Sequence, residues 1–569
     1  MKKYKNPILF CDYSDPDVIR VGDTFYLTAS SFNFVPGLPL LESKNLVDWK
    51  LVGYAAKKIP LPGYDEVQNA KGIWAPALRF HAGFFYIFFA TPDEGIFETH
   101  ARDFRGEWSG WNCVWSGKGF IDPCPIWDDD GKVYVVHGYA KSRIGFNSKL
   151  GILELDENLK SKTEDRIIFD GTKTQPTIEG SKIYKRNGFY YIFAPAGGVT
   201  SGWQAVLRSE NIFGGYEEKI VLAQGKTKIN GSHQGGYVET QDGSGYFLHF
   251  QDAGIFGRIT HLQPVKWQDG WPLMGSAAVL NCKVPNLKIQ NQKEKNLDEN
   301  GTVDDIGGPL EEYFVPYDDE KTEIAENAET AETARVSSCG FEAEKGISEF
   351  QFSGNAGLES FETENGGFSK KSYGDGTLWL NPNVCTKKIA AESFVYEKEI
   401  EILKDDGLLR SARNDGDEIE MPTPARNDVC ETEVLGFARN DKDEIEFSYS
   451  ARNDVGMESR CVRHGIIFLG NEYSALEVEK RADGFYLVQI VSSGSAKGDE
   501  TRKESVVFEA KLSKSVKSVV LKMKFAGEGR LGNVIFSCSA DGENGKIDFV
   551  SGPFTTENAH WVGGRFGWF

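Results

Sequence analysis

Long apolar runs are missing from this chain of 569 residues. No stretch approaches the roughly 18 consecutive apolar residues that a membrane-spanning helix needs. The start, Met1 to Pro7, is basic, but no apolar segment of the kind found in a secretory signal follows it. The sequence therefore predicts a cytoplasmic protein that makes no use of a membrane.

Paired cysteines and an excess of basic residues are missing as well. The nine cysteines form no CxxC pair and no zinc-ligand spacing, which favours free thiols in a reducing compartment. Lys and Arg number 64 against 84 Asp and Glu, giving a formal net charge of −20. Nucleic-acid binding needs clustered basic side chains, so this balance disfavours it, whereas a neutral ligand such as a sugar is compatible with it.

The first half of the chain has no long helical period and instead repeats one β-hairpin pattern. Asp15 precedes an apolar strand, a Gly22-Asp23 turn and the returning strand Phe25-Tyr26-Leu27. Four later segments repeat this order, each led by a different residue, and successive leaders lie 48 to 59 residues apart. The five leaders are Asp15, Trp74, Asp122, Glu179 and His233.

A repeat of this length, made of short strands and tight turns, is typical of a propeller blade of about four strands. Five repeats therefore predict an all-β fold that begins with a five-bladed β-propeller over residues 1–285. Since the innermost strands of all blades line one channel, the five leaders should converge on one mouth. Three carboxylates, an indole and an imidazole at equivalent positions indicate a functional site rather than a structural repeat alone.

The second half of the chain carries no such repeat. Residues 286–345 are polar and acidic, and we interpret them as a linker or surface excursion. Short strand patterns over 346–569 predict an antiparallel, concanavalin-like β-sandwich. At about 404–460 it is interrupted by Ala-Arg-Asn-Asp units that recur every 13 residues. This low-complexity segment predicts a disordered insertion, with an interaction arm as the alternative.

Paired carboxylic groups suggest glycosidic bond cleavage, in which one group protonates the leaving oxygen and the other activates water. A third carboxylate beside the acid would raise its pKa. Each residue also has a simpler explanation. Asp15 and Asp122 precede prolines and could be turn residues, and Trp74 and His233 could be core side chains. Arg258, in the last blade, could reach sugar hydroxyl groups or could simply lie at the surface. The shared phase within the repeat favours the site.

The sequence resembles family 43 glycoside hydrolases, which include β-xylosidases and α-L-arabinofuranosidases. The resemblance covers roughly residues 1–280. It is carried by the following motifs: Asn6-Pro7-Ile8-Leu9, Asp15-Pro16-Asp17-Val18-Ile19-Arg20, Gly72-Ile73-Trp74-Ala75-Pro76, Ile121-Asp122-Pro123 and Ile178-Glu179-Gly180. The ending His560 to Gly567 resembles the β-sandwich that follows the propeller in xylosidase-like members, where a sandwich loop helps to close the pocket.

The resemblance implies a role for each of these residues. Asp15 would be the general base, Glu179 the general acid, and Asp122 the group that tunes and orients the acid. Trp74 and Arg258 would hold the terminal sugar. Loops near Phe32, Phe34 and Trp203 would select between xylose and arabinose. Hydrolysis would need no cofactor, although a structural calcium ion near His233, held through water, is compatible with the family.

We therefore expect an inverting exo-glycosidase that releases β-D-xylose or α-L-arabinofuranose from small plant cell-wall oligosaccharides. The sequence leaves a homo-oligomer open. The alternative is a non-catalytic, carbohydrate-binding propeller with a lectin-like sandwich. A WD-type interaction scaffold is a weaker third hypothesis, because the Gly-His and Trp-Asp blade signature is absent from the sequence.

Overall fold

The computed structural model describes most of both halves of the chain. The described residues are 3–225, 227–275, 306–316, 341–343, 347, 349–355, 378, 384–402, 409–411, 419–420, 463–493, 503–558 and 561–569. The predicted domain boundaries at 285 and 345 lie outside them and stay predictions. The predicted insertion at 404–460 also lies outside them, except for the strands Leu409–Ser411 and Ile419–Glu420, which both pair with Ser393–Ile402.

The first half of the chain forms five blades, each of four antiparallel strands in simple up-and-down order. They are blade 1 (Asp17–Val21, Thr24–Thr28, Gly37–Ser43, Trp49–Ala56), blade 2 (Trp74–His81, Phe84–Thr91, Gly95–Ala101, Asn112–Ser116), blade 3 (Phe120–Trp127, Val133–Tyr139, Lys149–Leu155, Arg166–Asp170), blade 4 (Lys182–Arg186, Phe189–Ala196, Trp203–Ser209, Glu217–Ala223) and blade 5 (His233–Glu239, Gly245–Asp252, Arg258–Gln268, Trp271–Met274). The five-bladed propeller is confirmed.

Helix is almost absent from the described residues. One helical turn, Lys141–Ile144, follows the second strand of blade 3, and a 3₁₀ turn, Gly254–Phe256, lies within blade 5. Among these residues, no helix is long and apolar enough to cross a membrane.

Three segments outside the four-stranded blades pack beside the first and last blades. The strand Lys3–Lys5 pairs with Glu312–Phe314, and Leu9 forms a bridge to Thr260 in blade 5. Asn6 accepts a hydrogen bond from the Leu262 backbone N–H and donates to its carbonyl, so the start of the chain is fixed to blade 5. The strand Phe341–Ala343 adds to blade 1 in parallel.

The centre of the propeller is filled by a buried charged cluster from three blades. Arg79 Nη1 lies 2.8 Å from Asp17 Oδ2, and Lys182 Nζ lies 3.9 Å from the same oxygen. Asp17 and Lys182 are fully buried, and Lys182 also donates to the Pro76 carbonyl. The two cations pair with the buried carboxylate, and the cluster ties blades 1, 2 and 4 together.

The second half of the chain is a β-sandwich of two sheets. One has the strand order Gln351–Phe352, Cys385–Lys388, Arg565–Trp568, Arg463–Leu469, Tyr473–Arg481, Gly484–Ser493, Lys503–Lys511. The other has the order Leu409–Ser411, Ser393–Ile402, Ser518–Glu528, Leu531–Gly542, Gly545–Val550, and Phe554–Thr556 also pairs with Leu531–Gly542. Alternation along Ser518–Glu528 puts Val519, Leu521, Met523 and Phe525 into the core between the sheets.

The two halves share one apolar core at their junction. Ile255 and Phe256, on the 3₁₀ turn of blade 5, pack into the core of the sandwich with Phe525 and Val534. The Ile255 N–H also bonds the Arg530 carbonyl at 2.9 Å. Burial of two large side chains across the boundary fixes the sandwich against one end of blade 5.

Candidate active site

The inner strands of the blades are irregular at the end where the repeat leaders lie. Register shifts fall between Trp74 and Ala77 in blade 2, between Ile121 and Cys124 in blade 3, and after His233 in blade 5. Asp15 and Asp122 both have a left-handed backbone, with φ of 55° and 56°. Bulges and positive φ values turn side chains out of the regular pleat, and they are frequent at functional sites.

Asp15 is a buried carboxylate with two donors. Its Oδ2 accepts a hydrogen bond from Ser30 Oγ at 2.6 Å, and its Oδ1 lies 3.1 Å from Arg258 Nη1. Ser30 follows the second strand of blade 1, whereas Arg258 begins the third strand of blade 5. The ion pair therefore joins the first and last blades at the mouth and orients the Asp15 carboxylate.

Asp122 links blades 3 and 4. Its Oδ2 accepts a hydrogen bond from the Gly180 backbone N–H at 2.7 Å, and Ser181 Oγ donates to its main-chain carbonyl. Burial raises the pKa of Asp122 to about 6, although the Gly180 N–H acts against this rise and Asp15 adds to it. Glu179 directly precedes Gly180 in the chain, so the hydrogen bond from Gly180 places Asp122 beside Glu179.

Among the carboxyl groups described at the mouth, Glu179 has the pKa that is raised most. Burial first, and then the negative charge of Asp122, raise its pKa to about 8, whereas Arg258 acts to lower it. Its side chain still exposes 28% of its surface. Among the described residues no hydrogen bond to this carboxyl group occurs, so its proton is available to a bound molecule.

His233 lies behind Glu179 and is fully buried, with its Nε2 3.7 Å from Glu179 Oε1. Burial and the charge of Arg258 lower the pKa of His233 to about 3, so the imidazole is neutral. Neither ring nitrogen has a hydrogen-bond partner among the described residues. Two buried ring nitrogens without protein partners fit a bound water molecule.

A directly bound calcium ion does not fit these residues. Ca²⁺ takes six to eight oxygen ligands. Within the described part of the chain, no group of three or more His, Cys, Asp or Glu side chains is arranged to hold a metal ion. A calcium ion held through water stays a prediction, and no step below depends on it.

Trp74 forms one wall of the mouth and contacts three other side chains. Its ring meets Trp561 of the sandwich edge to face, with centroids 4.7 Å apart, and Phe32 of blade 1 at 6.5 Å. The Arg143 guanidinium lies 5.0 Å from its centroid and pairs with Asp93 at 3.1 Å. The sandwich therefore reaches the propeller mouth, and Trp74 is held between an aromatic ring and a cation.

Phe34 and Trp203 occupy other environments. Phe34 is buried under the Arg565 guanidinium of the sandwich, 3.9 Å from its ring centroid, so it lies at the junction of the two halves. Trp203 is only 3% exposed, packs in a core cluster of blades 3 and 4, and donates its indole N–H to Gln175. Burial leaves both rings little surface for a ligand, and their predicted role in substrate contact stays untested.

Two contacts of the mouth were missed by sequence reasoning. Arg143 lies in the helical turn of blade 3, outside the repeated hairpin pattern. The sequence shows only that it is basic. Trp561 lies in the ending that resembles the family's sandwich, but it was assigned no role. Its left-handed backbone, with φ of 66°, is visible only in the structure.

Comparison with known proteins gives a family for the propeller. Residues 4–272 match the family model described as glycosyl hydrolases family 43. This part of the chain belongs to that family. The match reaches from before blade 1 into the last strand of blade 5 and includes every one of the five repeat leaders.

Curated relatives of this chain are named for xylosidase or arabinofuranosidase activity. A Xylanibacter ruminicola protein provisionally named a beta-xylosidase is 42% identical over 276 residues, covering 48% of this chain and 50% of the relative. A beta-xylosidase of Formosa agariphila is 32% identical, covering 55% and 54%. A non-reducing end alpha-L-arabinofuranosidase of Bacteroides ovatus is 31% identical, covering 50% and 56%. The chain thus spans about half the length of these curated relatives.

Solved family 43 structures share the fold over nearly the whole chain. A glycoside hydrolase engineered for endo-xylanase and exo-arabinofuranosidase activity superposes with a TM-score of 0.66 at 20% identity, covering 100% of this chain and 96% of that one. The xylan beta-1,4-xylosidase of Bacillus halodurans gives 0.65 at 19%, covering 99% and 96%. The likeness extends over the sandwich and shows that the two-domain fold is common to these proteins.

Proposed function

We propose that this protein is an inverting, exo-acting glycoside hydrolase that removes terminal β-D-xylosyl or α-L-arabinofuranosyl residues from plant cell-wall oligosaccharides. The observation that carries the proposal is the meeting of Asp15, Asp122 and Glu179 at one mouth, with the pKa of Glu179 raised to about 8. Glycoside hydrolysis requires two carboxyl groups, one that keeps its proton near neutral pH and one that is ionised. Glu179 fits the first and the arginine-bound Asp15 the second.

In this proposal Glu179 is the general acid. Its proton passes to the glycosidic oxygen as the bond to the anomeric carbon breaks, so the leaving sugar departs as a neutral alcohol. The negative charge of Asp122 keeps that proton on Glu179 before the reaction. The hydrogen bond from Gly180 holds Asp122 in place while it does so.

Asp15 is the general base. Its carboxylate takes a proton from a water molecule, and the water oxygen attacks the anomeric carbon on the face opposite the leaving group. Both of its visible contacts are donors, Arg258 and Ser30, which orient the carboxylate without protonating it. The product sugar then has the opposite anomeric configuration, and the chain needs no cofactor for these steps.

Trp74 and Arg258 bind the terminal sugar. The indole offers an apolar face for a sugar ring, and the guanidinium offers fixed donors for hydroxyl groups. Trp561, from the sandwich, narrows the mouth beside Trp74. A narrowed pocket favours the end of a chain over its middle, which supports exo action on small oligosaccharides.

The test is to follow the products by proton NMR during hydrolysis of xylobiose and of an arabinofuranosyl oligosaccharide. The first sugar signal to appear should have the configuration opposite to that of the substrate. 4-Nitrophenyl β-D-xyloside and α-L-arabinofuranoside, assayed side by side, assign the preferred sugar. Retained configuration contradicts the inverting mechanism, and binding without release on both substrates favours the lectin-like alternative.

A further inference from the structure

Asp12 is a buried carboxylate that no step of the proposed hydrolysis uses. It is 7% exposed and lies three residues before Asp15. Its Oδ1 accepts hydrogen bonds from the Arg258 backbone N–H at 2.9 Å and from Ser14 Oγ at 3.2 Å. Its Oδ2 accepts one from the Gly563 backbone N–H at 2.8 Å. One carboxylate thus joins the start of the chain, blade 5 and the sandwich.

The backbone around Asp12 is packed closely enough to need glycine. A Cβ on Gly257, whose φ is +76°, would lie 2.4 Å from Asp12 Cγ. A Cβ on Gly563 would lie 2.7 Å from the Gly257 nitrogen. The neighbouring Gly564 N–H donates to the Ile255 carbonyl at 2.6 Å. The propeller segment before Arg258 and the sandwich segment after Trp561 are therefore in direct main-chain contact, with Asp12 between them.

Each segment joined by Asp12 carries a side chain of the mouth. The Arg258 guanidinium pairs with Asp15, and Trp561, two residues before Gly563, packs against Trp74. Hydrogen bonds from backbone N–H groups to an ionised carboxylate are among the stronger ones in proteins. Loss of a buried acceptor leaves its donors without partners, which moves the backbone that carries them.

We propose that Asp12 is a positioning residue that ties Arg258 to the sandwich segment Trp561–Gly564, so that docking of the sandwich sets the sugar-binding arginine. Asp12, the Arg258 N–H and the Gly563 N–H together form what we call the interdomain latch. The proposal deepens the proposed function and rests on it for the meaning of Arg258. The sandwich is then part of the active site and not a separate binding module.

The first experiment measures the latch itself, without substrate. Hydrogen–deuterium exchange with mass spectrometry is recorded on full-length wild type and Asp12→Asn, which replaces one accepting oxygen with an amide NH₂. Asparagine keeps one carbonyl oxygen, so at least one of the two N–H groups loses its acceptor. The peptide containing Arg258 or the peptide containing Gly563 should therefore exchange at least about tenfold faster in the variant. Unchanged exchange in both peptides overturns the proposal, whether or not the protein hydrolyses sugars.

The second experiment is a double-mutant cycle on kcat/KM with the preferred aryl glycoside. Asp12→Asn alone should lower kcat/KM by about 10- to 100-fold, since the arginine is displaced. In an Arg258→Met background the same change should cost no more than about twofold, because the group it positions is already gone. Equal losses in both backgrounds contradict action through Arg258. If Asp12→Asn does not fold, Asp12→Glu takes its place.

Arg530→Gln is the matched control at the same interface. Arg530 donates to the Asp252 carboxylate and main-chain carbonyl across the two halves, and its side chain is 51% exposed. Asp252 is only 12% exposed, but water can replace the half-exposed guanidinium as its hydrogen-bond donor, so this variant should keep wild-type exchange and kcat/KM within about twofold. A loss equal to that of Asp12→Asn would mean that any weakening of the interface suffices, and would overturn a specific role for Asp12.

Discussion

The propeller and the sandwich contribute different kinds of group to the mouth. The ionisable groups described there all come from the propeller: Asp15, Asp122, Glu179, His233, Arg258 and Arg143. The sandwich adds the Trp561 ring and the Gly563 N–H, neither of which titrates. The difference indicates that the propeller supplies the chemistry, while the sandwich supplies shape and position.

Removing the base tests the propeller's part most severely. Asp15→Ala should lower turnover about 10⁴-fold on both aryl glycosides and oligosaccharides, because it removes the carboxylate that activates water in the proposed mechanism. The measurement is kcat with 4-nitrophenyl β-D-xyloside and with xylobiose. Ser30→Ala, which removes one donor but keeps the carboxylate, is the control and should lose far less. Turnover of Asp15→Ala within about tenfold of wild type would remove Asp15 from the base role.

The second prediction separates the acid from the base. Glu179→Ala should lower kcat on xylobiose by about 10²- to 10⁴-fold and much less on an aryl glycoside with an activated leaving group, which needs little protonation. The ratio of the two losses is the quantity to measure. Equal losses on both substrates would contradict the acid role.

The same contrast between the two halves governs what the sequence could predict. The blades repeat, so equivalent positions identify each other, and the hairpin led by Asp15 is found as the strands Asp17–Val21 and Thr24–Thr28. The sandwich does not repeat, and its pairs join distant segments. Cys385–Lys388 pairs with Arg565–Trp568, for example, and local pattern carries no information about such a partner.

The candidate site follows the same division. The five leaders are in phase with the repeat, so they could be chosen from sequence, and the structure brings Asp15, Asp122, Glu179 and His233 together. Trp561 and Asp12 depend on how two separate domains dock, which no motif within either domain encodes. Trp203 was chosen for its aromatic character, but burial and the bond to Gln175 are tertiary properties.

The third prediction concerns pH. Asp122 raises the pKa of Glu179, so Asp122→Asn should favour the ionised acid and move the alkaline limb of the pH–rate profile to lower pH. At pH 7 we expect kcat to fall by about 10- to 100-fold. Asparagine can still accept the Gly180 N–H, so the backbone is retained. A profile whose alkaline limb does not move would show that Asp122 does not tune the acid.

The fourth prediction tests the sandwich's part. Trp561→Ala should lower kcat/KM by about tenfold, mainly by raising KM, because it removes one wall of the pocket but no ionisable group. The alkaline limb should stay where it is in wild type, unlike in Asp122→Asn. Val550→Ala, on an exposed position of the sandwich, is the control. A shifted pH profile in Trp561→Ala would contradict the division between chemistry and shape.

The fifth prediction concerns stability and not activity. Because the folded state raises the pKa of Glu179 from its usual 4.5 to about 8, the unfolded chain loses this proton first as pH rises. Wild-type stability should therefore fall between about pH 5 and 8 as the unfolded carboxyl ionises and the folded one does not. Glu179→Gln removes this dependence, so its Tm should decline less over that range, measured by calorimetry. Glu157→Gln, at an exposed turn, should follow wild type. If Tm declines equally with pH in all three proteins, Glu179 is not held protonated at a cost to the fold. If Tm declines less in Glu179→Gln alone, the propeller gives up stability to keep the acid protonated.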